Sequence, residues 1–155
     1  MRAFEDFKVG DIAEFGPLTV TAADIKSFAA RFDPQPMHLD ETARQNPILD
    51  GQFASGLHTV CMHMRLFADR VLRDSTSMGS PGVEEVRYLA PVRAGDSLAL
   101  RVEIVGARPS KSRPEMGLVN FRSHLVNADH KPVLEMAATL MFGRRAGAGG
   151  NEVAT

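Results

Sequence analysis

Hydrophobic positions change their spacing part-way along this chain, and the change predicts two kinds of structure. In the first half the spacing is helical. Ile25, Phe28, Ala29 and Phe32 fall at i, i+3, i+4 and i+7, the spacing of one face of an α-helix. Thr21-Ala22-Ala23-Asp24 precedes them as a capping box, with a hydroxyl and a later carboxylate to satisfy free N–H groups. The helix must stop near Phe32, because Pro34 and Pro36 follow and each disfavours helical geometry in the residue before it. A longer helix is predicted from about Gly56 to about Arg73. Its apolar stripe is Leu57, Val60, Cys61, Met64, Phe67, Ala68 and Val71, widened by Leu66 and Leu72. That stripe is broader than a surface helix needs, so this helix is expected to be wrapped by other structure.

The second half alternates. Leu98, Leu100, Val102 and Ile104 take every second place, as do Val119, Phe121 and Leu125, and then Leu134, Met136, Ala138, Leu140 and Phe142. A period of two marks strands with one core face. Further strands are expected around Glu84–Leu89 and before Thr21. Residues 91–96 and 127–131 have turn composition, which predicts antiparallel pairing of consecutive strands. The assembly these parts allow is α+β: an antiparallel sheet curled around one apolar helix, with a shorter helix at its side. Val133, Ala137 and Met141 lie on the opposite face of the last strand, and from them we expect a dimer.

Composition narrows the function classes. The chain has 155 residues, 18 basic and 19 acidic, a net charge of −1. No cationic excess is available for nucleic acid or a membrane surface. One cysteine, Cys61, excludes an intramolecular disulfide framework and fits a reducing compartment. The N-terminus carries Glu5 and Asp6 where a signal peptide needs an apolar stretch, and no run of ~18 apolar residues suggests a membrane span. A cytoplasmic protein is expected. Residues 1–145 are taken as one domain and the Gly- and Ala-rich residues 146–155 as a disordered tail.

The segment most suited to chemistry is Phe32-Asp33-Pro34-Gln35-Pro36-Met37-His38. It leaves a helix, is stiffened by two prolines, and delivers a carboxylate and an imidazole five residues apart. Such a pair can hold and deprotonate one water, or exchange protons at adjacent carbons. An Asp before Pro also forms turns, and a loop His also faces solvent.

This stretch resembles the signature of the MaoC-like hydratases, the family of R-specific enoyl-CoA hydratases: Asp, any residue, Asn, Pro, any residue, His. Asp33, Pro36 and His38 match, and Gln35 stands where Asn is usual. The Gly51-to-Thr59 segment, which enters the long helix at Gly56, and Val86-to-Asp96 are similar to further parts of the family. The likeness spans roughly residues 7 to 143. It implies a hot-dog fold, a curved antiparallel sheet around a long central helix. It also implies reversible syn addition of water across a trans-2-enoyl thioester, an acyl-CoA. Asp33 and His38 would be the acid–base pair and the Gly56 N–H the donor to the enolate oxygen. Gln35, Ser55 and His58 are expected to contact substrate. No cofactor is implied beyond coenzyme A as part of the substrate. Some family members steady the Asp with a Ser two helical turns past the glycine; here that place is Met64, so another partner is needed, with Thr59 and His58 as candidates. A hot-dog thioesterase and a non-catalytic acyl-thioester-binding protein are the alternatives.

Arg108, Lys111 and Arg113 form a basic loop between two strands, suited to the phosphates of coenzyme A or simply solvated. A metal site is not expected. His58 and His63 lie five apart, about 140° around a helix, and no Cys or carboxylate frames them at ligand spacing. His63 is expected at an interface or the surface, and Cys61 in the core.

Overall fold

The computed structural model of the chain describes residues 1–40, 42 and 51–146. A single 3-10 turn, Phe4–Asp6, leads into β1 (Ile12–Thr19), then α1 (Ala22–Phe32), α2 (Pro36–Leu39) and α3 (Gly56–Phe67). Four strands follow: β2 (Gly82–Tyr88), β3 (Ser97–Pro109), β4 (Met116–Val126) and β5 (Pro132–Gly143). They form one antiparallel sheet in the order β1-β3-β4-β5-β2. The arrangement is the expected α+β hot-dog, with the sheet curved over α3. The expected disordered tail falls, from residue 147 onward, outside the described residues. Among the described residues no helix is long and apolar enough to cross a membrane.

The alternating residues of the second half take their predicted side. Leu98, Leu100, Val119, Leu125, Leu134 and Phe142 are fully buried, and they meet Met62, Leu66, Phe67 and Val71 from the helical side. Phe67 stands edge-on to Phe121, with ring centroids 5.3 Å apart. Strand pairing is less sequential than expected. The turn at residues 127–131 does join neighbours, β4 and β5. The segment 91–96 is not a hairpin, because β2 pairs with β5 while β3 pairs with β1. That connection crosses the end of the sheet instead. Leu89 N–H donates to Val133 O, Ala54 N–H to Val92 O, and Val20 N–H to Asp96 O, so the crossover is tied to three separate parts of the chain.

The central helix is rotated from its predicted phase. Its buried residues are His58, Thr59, Met62, His63, Leu66 and Phe67, whereas Leu57, Met64 and Cys61 are exposed. Two histidines and a threonine on the inner face disguised it: positions 59, 62, 63, 66 and 67 also fit a 3.6-residue period. His63, expected at an interface or the surface, is a core residue whose Nε2 lies 2.7 Å from Ser123 Oγ on β4. Beyond Phe67 the winding widens to a π-helical turn, Ala68–Leu72, with Arg73 N–H donating to Ala68 O. Val133, expected on an open face, is buried. Leu57 and Met64 on α3 and Val83, Val86 and Tyr88 on β2 are left outside, as are Ile12 on β1, Phe32 on α1 and Val105 on β3.

Candidate active site

Asp33 is the C-cap of α1, and its N–H donates to Ala29 O at 2.9 Å. The capping Thr21 at the other end accepts from Asp24 N–H at 3.1 Å and gives its own hydroxyl hydrogen to the Asp24 carboxylate. After Asp33 the chain does not wander as a loop. Pro36 occupies the first turn of α2, where a missing N–H costs nothing, and that turn places His38 in the interior at 3% exposure.

His38 is held from three directions. Its Nδ1 lies 2.7 Å from Phe53 O, and a carbonyl can only accept, so Nδ1 carries the hydrogen. The neutral ring therefore presents Nε2 as an unprotonated base. Phe53 N–H donates to Met37 O, and Gln52 Nε2 donates to His38 O at 2.8 Å. Arg93, from the crossover, donates to Gln52 O at 3.1 Å. His38 Nε2 then stands 3.4 Å from Asp33 Oδ2. Two acceptors face each other at that distance, an arrangement relieved by a donor held between them or by a proton on the ring.

Asp33 is anchored by Ser55 and Gln35. Ser55 Oγ donates to Oδ2 at 2.6 Å and Gln35 Nε2 donates to Oδ1 at 2.7 Å. These two bonds, Ser55's first, hold the carboxyl below its ordinary pKa, because both favour the ionised form. Ser55 is thus the partner that Met64 cannot be, and Met64 itself is exposed. The clue available in the sequence was local: Ser55 precedes Gly56 at the helix start, one turn from where a partner was sought. Thr59, the other candidate, gives its hydroxyl to Ser55 O instead.

The Ser55 hydroxyl is turned to Asp33 and does not cap α3, whose N-cap makes no side-chain bond. The first N–H groups of α3, Gly56's among them, lack intrahelical acceptors. Gly56, Asp33, His38, Gln35 and Thr59 line one pocket of about 440 Å³, together with Tyr88 and the apolar crossover residues Leu89 to Val92. Sequence reasoning did not single out Tyr88. Its ring lies so close to Gly56 that a Cβ there would come within 2.8 Å of it, so any larger residue would push the ring away from the helix start.

Other expected contacts lie elsewhere. His58 stacks on Phe28, centroids 4.7 Å apart, and lines a separate groove between α1 and α3 with Arg31 and Arg65. The basic loop stands at the far end of the sheet. Tyr88, Leu134, Leu125 and Leu100 form one row across the strands. Arg108 lies roughly 25 Å farther along β3, at ~3.3 Å per residue, and Lys111 and Arg113 follow it in the turn. The three cations are therefore not brought to the pocket of their own chain. Among the described residues, no cluster of three His, Cys, Asp or Glu side chains is placed to hold a metal ion.

A family model for the MaoC like domain matches residues 7–122. The chain belongs to the MaoC-like family. This MaoC-like chain is 31% identical over 150 residues to an (R)-specific enoyl-CoA hydratase of Rhodospirillum rubrum, covering 94% of each protein. It superposes on a crystal structure of a MaoC-like dehydratase from Rhodospirillum rubrum with a TM-score of 0.81 and 35% identity, covering 92% of this chain and 97% of that one. A Mycobacterium tuberculosis protein with a double hot-dog fold is similar in fold, at a TM-score of 0.73 and 17% identity, over 98% of this chain and 48% of its own.

Proposed function

We propose that this protein is a hydratase or dehydratase that adds water to, or removes it from, the double bond of a trans-2-enoyl thioester, with coenzyme A as the thiol. The observation that carries the reading is the 3.4 Å approach of Asp33 Oδ2 and His38 Nε2 on the wall of a pocket that also holds the start of α3. A water between these acceptors directs both hydrogens to protein and its lone pairs to the pocket. As its oxygen bonds to the β-carbon, one O–H bond breaks and the Asp33–His38 pair takes the proton. The π electrons move toward the thioester oxygen, forming an enolate, and the pair returns a proton to the α-carbon. Delivery of both groups from one side makes the addition syn. The Gly56 N–H meets the oxygen that gains charge, which lowers the barrier because the bond strengthens in the transition state.

Purified protein should consume crotonyl-CoA, read as loss of enoyl absorbance. Asp33→Asn and His38→Ala should each lower turnover by about 10²- to 10⁴-fold while circular dichroism stays native. No turnover by the unmodified protein across short, branched and long enoyl thioesters would sink the reading.

A further inference from the structure

Four side chains lining the pocket carry hydrogen-bond donors: Gln35, His38, Thr59 and Tyr88. Three are already directed at protein acceptors. Gln35 donates to Asp33, His38 Nδ1 to Phe53 O, and Thr59 to Ser55 O. The hydroxyl of Tyr88 has no partner among the described residues.

Its position is specific. Tyr88 is the last residue of β2, fixed opposite Leu134 of β5, and its ring rests on the α-carbon of Gly56. A Cβ built on Gly56 would lie 3.2 Å from the phenolic oxygen. Since backbone N and Cβ share one α-carbon at ordinary bond lengths, that oxygen is no farther than about 6 Å from the Gly56 nitrogen. Two donors that each reach one oxygen at about 2.9 Å stand no more than about 6 Å apart, so this bound admits an acceptor shared by the phenol and the Gly56 N–H.

We propose that Tyr88 is a second donor to the thioester oxygen, its hydroxyl joining the Gly56 N–H there. This deepens the hydratase reading and rests on it for the identity of the oxygen. The contact with Gly56 thereby has a purpose beyond packing: glycine lets the phenol close on the helix start. The hydroxyl transfers no proton. It stabilises charge that develops on the oxygen, so its effect belongs to kcat and not to KM. Tyr88 is more than half exposed in the single chain, which places the expected effect at or below the low end for a buried oxyanion donor, about 10- to 100-fold.

The test compares the unmodified protein with Tyr88→Phe, which keeps the ring and removes only the oxygen. A CoA thioester of a dialkylaminocinnamoyl acid is the probe, because its absorbance moves to longer wavelength when its carbonyl is polarised, whether or not water is added. The unmodified protein should give a red shift on binding and Tyr88→Phe a smaller one. With crotonyl-CoA, kcat should fall about 10- to 100-fold and KM stay within a few-fold. An equal shift in both proteins, or no shift in the unmodified one, overturns the proposal. A purely structural ring would leave Tyr88→Phe silent in both assays. If the shift depends on Tyr88 but no enoyl thioester is hydrated, the second donor stands and the hydratase reading falls.

Discussion

Ser55 stands at the N-cap of α3 yet gives its hydroxyl hydrogen to Asp33, 22 positions earlier, at 2.6 Å. One side chain thereby does two things at once. It fixes the carboxylate at the end of α1 in its ionised state, and it leaves the first N–H groups of α3 open to the pocket. A serine in the usual capping role would have done neither.

Ser55→Ala should therefore act on the chemistry more than on the fold. A hydrogen bond to a charged group is worth about 1.5–3 kcal/mol, so kcat for enoyl-thioester hydration should fall by roughly 10- to 100-fold. The pH profile adds a sign. Ser55 holds the Asp33 pKa down, so its removal raises that pKa. Activity that needs the carboxylate is lost as pH falls, and in the variant that loss should begin at higher pH. Gln35→Ala, which removes the more exposed of the two bonds, should move the limb the same way by less. An acid limb unmoved in both variants would show that Asp33 ionisation does not set it.

Much of this site was legible in the sequence because its parts are local. Asp33, Pro36 and His38 sit within six residues, and the prolines declare a fixed path between them. Strands β3 to β5 were legible for a similar reason, since alternation is a property of neighbours. Relations across the chain were not. Ser55 meets Asp33 only because α1 and α3 pack together, and no spacing encodes that. The phase of α3 is hidden in the sequence because its inner face carries Thr59 and His63, polar residues that a hydrophobic pattern assigns to solvent. The same pattern assigns His63 to an interface or the surface and Cys61 to the core. The path of residues 89–96 was hidden by its turn-like composition, which suits a sheet-end crossover as well as a hairpin.

His63 should make the protein acid-sensitive in a defined window. Burial pushes its pKa down to about 4 from 6.5, so the folded state keeps it neutral while the unfolded state binds a proton. Between pH 6.5 and 4 the unfolded state holds more protons, and stability therefore falls as pH falls. By pH 4.5 the effect amounts to about 2–3 kcal/mol, from ~1.4 kcal/mol per pKa unit. His63→Gln keeps a polar partner for Ser123 without titrating in this range. Urea unfolding of both proteins at pH 7 and pH 4.5 isolates the contribution, since other groups act on both alike. A stability difference that is the same at the two pH values would rule His63 out as the titrating group.

The outer face of α3 and the edge strand bear on assembly. Every residue of β2 is exposed in the single chain, and among the described residues it pairs only with β5, on one side. Val83 and Val86 on β2 are exposed, and so are Leu57 and Met64 on α3. An edge strand with free N–H and C=O groups is a ready template for another strand, and apolar side chains beside it favour covering by about 25 cal/mol per Å² buried. A second copy of this chain, added along β2, would satisfy both demands. The protein should sediment as a dimer or larger species at micromolar concentration. Val86→Lys combined with Met64→Glu should shift it toward monomer while far-ultraviolet circular dichroism stays native, because both side chains are already outside the core. A double variant that sediments like the unmodified protein would place the interface elsewhere, and a monomeric unmodified protein would remove the case for a dimer.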